Sequence, residues 1–172
     1  MSVFLTDGPD LRNEAVENVV YGLNGNDRIF SSTLSPDLYG GEGSDFLAAS
    51  NNAAFVDSYG GAGNDTLHGS VNGDQLFGDD GADLLVGGEF TYATARNTGA
   101  ITPFGGELSG NDDMYGGPGT DAIYGFDGAD IMYGEDGDDG FGGGNVDFIS
   151  PLDDLGGFYG AGLIQADKAL GR

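Results

Sequence analysis

The chain has 172 residues, of which 35 are glycine, three methionine, and none tryptophan or cysteine, so little is available for a conventional core and nothing for disulfides or a thiolate metal site. Its 29 acidic side chains against five basic ones (Arg12, Arg28, Arg96, Lys168, Arg172) give a formal charge of -24. That balance excludes nucleic acid and anionic membrane as partners and favours cations. With a single histidine, His68, zinc is a poor candidate among them.

In chain order, MSVFLTDGPDLRNEAVENV has no basic segment followed by an apolar stretch, so it does not read as a classical signal peptide. No apolar run along the chain reaches membrane-spanning length. Residues 1–21 are expected to form an N-terminal cap, with Val20 at an apolar position half a coil before Ile29.

From residue 22 the chain repeats with a period of nine. Aligned on an aspartate at position six, the copies are GLNGNDRIF (22–30), GGEGSDFLA (40–48), GGAGNDTLH (60–68), GSVNGDQLF (69–77), GDDGADLLV (78–86), GGPGTDAIY (116–124), GFDGADIMY (125–133) and GEDGDDGFG (134–142). ELSGNDDMY (107–115) is a further copy without its first glycine.

Chemistry accounts for this spacing. Glycines at positions one, two and four let the backbone expose successive carbonyls without side chains in the way. A turn carrying those carbonyls and one carboxylate supplies about half of the six to eight oxygens that calcium takes, so two turns make one site. Residues seven to nine then form a short strand with alternating side chains. Position eight is Ile29, Leu47, Leu67, Leu76, Leu85, Met114, Ile123, Met132 and Phe141, an apolar column that supplies the core.

The pattern G-G-x-G-x-D-x-U-x, in phase over residues 22–142, resembles the RTX, or haemolysin-type calcium-binding, repeat. The resemblance implies an all-β parallel β-roll, a solenoid of 18-residue coils with calcium in two columns of turns, terminal caps and one inserted loop. The β-roll would span residues 22–150. In this phase the first column holds the turns of Asp27, Asp45, Asp65, Asp83, Asp121 and Asp139, with five gaps for ions. The second begins with SSTLSP (31–36) and Ala49 to Phe55, which lack glycines and aspartate and are expected to be calcium-free. It becomes competent at Asp74, Asp112 and Asp130, and ends near Asp147. With the fourth-position glycines Gly25, Gly43, Gly63, Gly81, Gly110, Gly119, Gly128 and Gly137 contributing, this implies about seven or eight calcium ions.

The irregularities obey the same arithmetic. Asp45 to Asp65 spans 20 residues, so two are expected to bulge near Asn51. Asp83 to Asp121 spans 38, which places an insertion at about 89–109, expected to project from the second edge as a loop. The insertion carries Arg96 and is either a tolerated surface loop or a contact loop. Position nine after the second column is aromatic at every rung: Tyr21, Tyr39, Tyr59, Phe77, Tyr115 and Tyr133. Strands lie about 4.8 Å apart, so these rings form a ladder on one outer face. It either stiffens the sheet or serves as a platform for a glycan or protein partner. His68, at position nine of the other strands, is expected outside.

Residues 151–172 read as a C-terminal cap or a secretion segment for export machinery, with Leu163, Ile164, Ala166 and Leu170 suited to a short helix. YGAGLIQADKAL there is also similar to the last helix of subtilisin-like protease domains, although no catalytic motif of that family is present. No nucleophile elbow is present and every carboxylate of the repeats lies in a turn, so the chain does not read as an enzyme. The expectation is a secreted or cell-surface calcium-binding module that folds on meeting extracellular calcium. The alternatives are an adhesion or ligand-binding module acting through the ladder and the insertion, and a noncatalytic portion of a secreted hydrolase.

Overall fold

The computed structural model describes residues 2–15, 18–50, 53–88, 110–126, 128–142, 146–148 and 157–158. These residues form strands and turns with no helix. Numbered along the chain, the odd strands make one parallel sheet: β1 Ser2–Phe4, β3 Val19–Asn24, β5 Asp37–Glu42, β7 Asp57–Ala62, β9 Gln75–Asp80, β11 Asp113–Tyr115, β13 Asp130–Tyr133 and β15 Val146–Phe148. The even strands make the other: β2 Leu11–Ala15, β4 Arg28–Ser31, β6 Phe46–Ala49, β8 Thr66–His68, β10 Leu84–Val86, β12 Ala122–Tyr124, β14 Gly140–Gly142 and β16 Gly157–Phe158. Each sheet grows by one strand per coil, the order of a parallel β-roll.

The register is that of the nonapeptide. Ile29 pairs with Leu47, Leu47 with Leu67, Leu67 with Leu85, Leu85 with Ile123 and Ile123 with Phe141. In the odd sheet Val20 pairs with Leu38, Leu76 with Met114 and Met114 with Met132. All these side chains face the space between the sheets and, apart from Phe141 at 9%, are fully buried. Burying each stabilises the roll by about 1.5–3 kcal/mol. A strand of three residues has one inward position, so that position has to be large and apolar for two thin sheets to adhere.

Two residues depart from the apolar column. Ser58, between Leu38 and Leu76, is fully buried, and its hydroxyl has no hydrogen-bond partner among the described residues. Arg12 pairs with Ile29 and ends the even-sheet column at the first coil. In the segment expected to form a cap, β1 and β2 add one further coil that pairs with the repeats.

The aromatic ladder forms and is longer by one ring. Phe4, Tyr21, Tyr39, Tyr59, Phe77, Tyr115 and Tyr133 stack with centroids 4.7–5.0 Å apart and planes within 14°. Each inner ring has its two faces against its neighbours. The ladder therefore turns ring edges outward, and an open π-face is left only at its ends.

The outer face of the even sheet differs from expectation. Phe30, Phe46, Ala48, His68 and Val86 are buried, and the His68 ring lies 5.7 Å from that of Phe46. Arg28 lies over Phe46, its guanidinium carbon 4.9 Å from the ring centroid. His68 is therefore inside and not outside, and burial pushes its imidazole down to about 4. A period of two predicts which side of a sheet a residue takes, but not whether that side meets water. The bulge near Asn51, the insertion with Arg96 and the C-terminal helix lie outside the described residues.

Candidate metal centre

Each turn entering the even sheet ends on an aspartate, and the aspartates are tied rung to rung. The Asp10 amide donates to Asp27 Oδ1 at 2.7 Å, Asp27 to Asp45 at 2.7 Å, and Asp45 to Asp65 at 2.7 Å. The series continues from Asp65 to Asp83 and from Asp83 to Asp121, both at 2.8 Å, and from Asp121 to Asp139 at 2.9 Å. On the other edge Val56 donates to Asp74 at 2.7 Å, Asp74 to Asp112 at 2.9 Å and Asp112 to Asp130 at 3.1 Å. These are the two unequal columns expected. Val56 stands at position six in the rung without an aspartate, and Ala49, Ala53 and Val56 pack there as a small apolar cluster.

One oxygen per carboxylate is thus used, and the other is the informative one. Oδ2 of Asp27, Asp45, Asp65, Asp83 and Asp121 is buried with no hydrogen-bond partner among the described residues. Each of these five carboxylates lies between two turns of the first column. A buried anionic oxygen without a donor is costly, and a cation is what offsets that cost.

Backbone oxygens surround these carboxylates. The space that a β-carbon would fill at Gly40 is held by Asp45 Oδ2 and the Gly60 carbonyl. Gly22, Gly60, Gly78 and Gly116 repeat this with Asp27 and Gly40, Asp65 and Gly78, Asp83 and Gly116, and Asp121 and Gly134. Fourth-position carbonyls line the same column: those of Gly25, Gly43, Gly63, Gly81 and Gly119 face Gly43, Gly63, Gly81, Gly119 and Gly137, and on the other edge that of Gly110 faces Gly128. Gly43 shows why no other residue fits: its φ is +132° and the Gly25 carbonyl stands where its β-carbon would be.

Burial raises these acids above the ordinary carboxylate range. It pushes the Asp45, Asp65 and Asp121 carboxyls up to about 6 and Asp83 to about 7, and moves Asp27 upward too. Asp74, on the second edge, is also raised by burial to about 6. Asp10 goes the other way, held down by the Thr6 amide and hydroxyl.

No cluster of three or more His, Cys, Asp or Glu suited to a metal occurs among the described residues. The donors in each gap are therefore carbonyl oxygens with the aspartate carboxylate. An all-oxygen set from flexible backbone fits calcium, which accepts six to eight such ligands, and does not fit zinc.

Sequence reasoning missed three features. The turn of Asp112 takes its first two positions from Gly87 and Gly88, before the insertion: Gly87 is backed by the Asp112 carboxylate. The insertion therefore interrupts a turn and does not precede a copy without its glycine. VGGEF, with two glycines directly after the LLV strand, carried that signal. Asp10 adds a seventh turn to the first column, in DGPD. At the far end of the second column Val146, and not Asp147, pairs with Asp130, and the register shifts at that point.

The family model of the RTX calcium-binding nonapeptide repeat matches in four copies, residues 17–33, 37–52, 59–91 and 108–141, more than half of the chain. No curated protein and no solved structure matches it. The gap in the matches at 92–107 falls inside the interrupted turn, and the matched stretches carry every aspartate of both ladders except Asp10. The chain belongs to the RTX calcium-binding nonapeptide repeat family.

Proposed function

We propose that this β-roll is a secreted or cell-surface module whose folding is driven by extracellular calcium, and that it acts as a scaffold and not as a catalyst. The observation that carries the reading is the set of five buried carboxylate oxygens without hydrogen bonds in the first column. Asp27, Asp45, Asp65, Asp83 and Asp121, with the glycine carbonyls around them, would hold the ions. Bound calcium supplies positive charge against which these carboxylates stay ionised.

Extracellular calcium modules bind with dissociation constants of roughly 0.1–1 mM, so at about 1 mM ion the tighter limit gives about 1.4 kcal/mol per site. Five sites then contribute about 7 kcal/mol, comparable to the whole stability of a domain, about 5–15 kcal/mol. Without calcium, a chain of formal charge -24 whose described strands have no more than six residues lacks the means to stay folded. Such a chain is extended and exportable at low calcium and folds once outside.

The ladder supports a mechanical role in this scheme, because stacked rings hold neighbouring coils together and present edges to solvent. Circular dichroism with calcium and with excess chelator tests the reading. At neutral pH strand signal should appear only with calcium, and full strand content in chelator at that pH would overturn it.

A further inference from the structure

Position two divides the turns of the roll into two kinds. In seven turns that position is left-handed whatever residue fills it: Leu23, Gly41, Gly61, Asp79, Gly117, Phe126 and Glu135 all have positive φ. Gly88, in the turn of Asp112, is not left-handed, and neither are Thr6 and Ser70, which occupy position two in the turns of Asp10 and Asp74. Thr6 and Ser70 instead each bond the aspartate of their own turn. The Ser70 amide donates to Asp74 Oδ2 at 2.5 Å and its hydroxyl to Oδ1 at 3.2 Å. The Thr6 amide and hydroxyl both bond Asp10 Oδ2 at 2.7 Å.

The Asp74 turn otherwise has the same oxygen lining as the rest. Asp74 Oδ2 and the Gly87 carbonyl hold the space of a β-carbon at Gly69, and the Asn72 carbonyl faces Gly110. The difference lies in the donors. Ser70 is fully buried and places a proton against the carboxylate oxygen that is left without one in the turns of Asp27, Asp45, Asp65, Asp83 and Asp121. The Ser70 amide and hydroxyl aim the positive ends of two dipoles at the carboxylate that a cation would approach, which weakens its hold on the ion.

We infer that Ser70 closes the metal site between the Asp74 and Asp112 turns, its amide and hydroxyl standing in for a calcium ion, and that Thr6 does the same for Asp10 at the start of the first column. This rests on the calcium reading above. It removes one of the two or three ions expected on the second edge. It also leaves the stretch from Ala53 to Asp112 on that edge joined by hydrogen bonds alone: Asn72 Nδ2 donates to the Ala53 carbonyl at 2.6 Å, Val56 to Asp74, and Asp74 to Asp112. The turn that receives the insertion, between Gly88 and Gly110, therefore rests on a rung that needs no ion.

The test is calcium stoichiometry by isothermal titration calorimetry and by metal analysis of the dialysed, folded full chain. Ser70→Gly removes the hydroxyl donor and frees position two to turn left-handed, and should bind one ion more than the parent. Asp74→Asn in the parent should leave the ion count unchanged, whereas Asp65→Asn should lower it by at least one. Loss of an ion in Asp74→Asn would overturn the inference even if Ser70→Gly failed to fold, as would a folded Ser70→Gly with an unchanged count. A parent chain that binds no calcium at all would instead overturn the functional reading on which the inference stands.

Discussion

The amide of Asp45 donates to Oδ1 of Asp65, 20 residues further along the chain, at 2.7 Å, while Oδ2 of Asp65 is buried without a hydrogen bond. One carboxylate thus ties two coils together with one oxygen and leaves the other without a donor. Asp65→Asn should retain much of the tie and lose the ion, because an amide nitrogen in place of Oδ2 repels a cation. Chelator titration followed by circular dichroism should show a higher calcium midpoint for folding, with about 1–2 kcal/mol less stability at about 1 mM calcium. An unchanged midpoint would remove Asp65 from the ligand set.

The raised carboxyls make the calcium-free chain sensitive to pH in a defined direction. An aspartate with an ordinary value of 3.8 that rises to about 6 on folding, as Asp45, Asp65 and Asp121 do, binds more protons in the folded state. Its contribution is fully present below about pH 3.8 and is lost as pH rises through 6, or through about 7 for Asp83. His68 opposes this, since a value lowered to about 4 costs stability as pH falls below 6.5, but one imidazole faces several carboxyls. In chelator, strand signal should therefore increase from pH 7.5 down to about 4.5. A flat profile would count against buried carboxylates as the barrier to calcium-free folding.

Ser58 interrupts the core column between Leu38 and Leu76 with a hydroxyl that is buried and has no partner among the described residues. Ser58→Ala removes the desolvation cost without adding volume and should stabilise the calcium-loaded roll by about 1 kcal/mol. Thermal unfolding at fixed calcium measures this; a lower melting temperature would mean that the hydroxyl is engaged.

Leu23 and Glu135 take φ of 80° and 72° at position two, where the backbone course is dictated by the turn and not by the residue. A left-handed conformation costs an L-residue about 1–2 kcal/mol, partly offset by the greater unfolded freedom of glycine. Leu23→Gly and Glu135→Gly should each raise stability by about 0.5–1 kcal/mol at constant calcium. Urea unfolding that places either variant below the parent would contradict the strain.

The Tyr59 ring lies 4.8 Å from that of Tyr39 and 4.9 Å from that of Phe77, within 5° of parallel to both. Aromatic pairs add about 0.5–1.5 kcal/mol beyond their burial, so Tyr59→Ser, which breaks two of them, should lower stability by about 2–3 kcal/mol. If the ladder were a platform for a glycan, binding on a glycan array would fall more than stability does in this variant.

A nine-residue period was enough to read the coil, the inward column from Ile29 to Phe141, the two unequal edges and the ring ladder, because each follows from local repetition. Turn chemistry and a period of two act over a few residues, and parallel stacking in register copies them along the solenoid. Gly87 and Gly88 were legible too, but only to a reader willing to let a turn close across a 21-residue insertion.

What needed three dimensions was decided between coils. That His68 lies among buried neighbours, that Phe4 completes the ladder and that Val146 displaces Asp147 from the register depend on what packs against a strand, which a periodic pattern does not encode. The same holds for the aspartates. Asp65 and Asp74 occupy equivalent positions in the repeat, and only the folded turn shows that one carboxylate oxygen is left for a cation while the other is already taken by Ser70. Composition and spacing thus settle that the chain coils and carries calcium-binding repeats, and the donors gathered around each carboxylate, which distinguish one gap from another, are set by the folded turn.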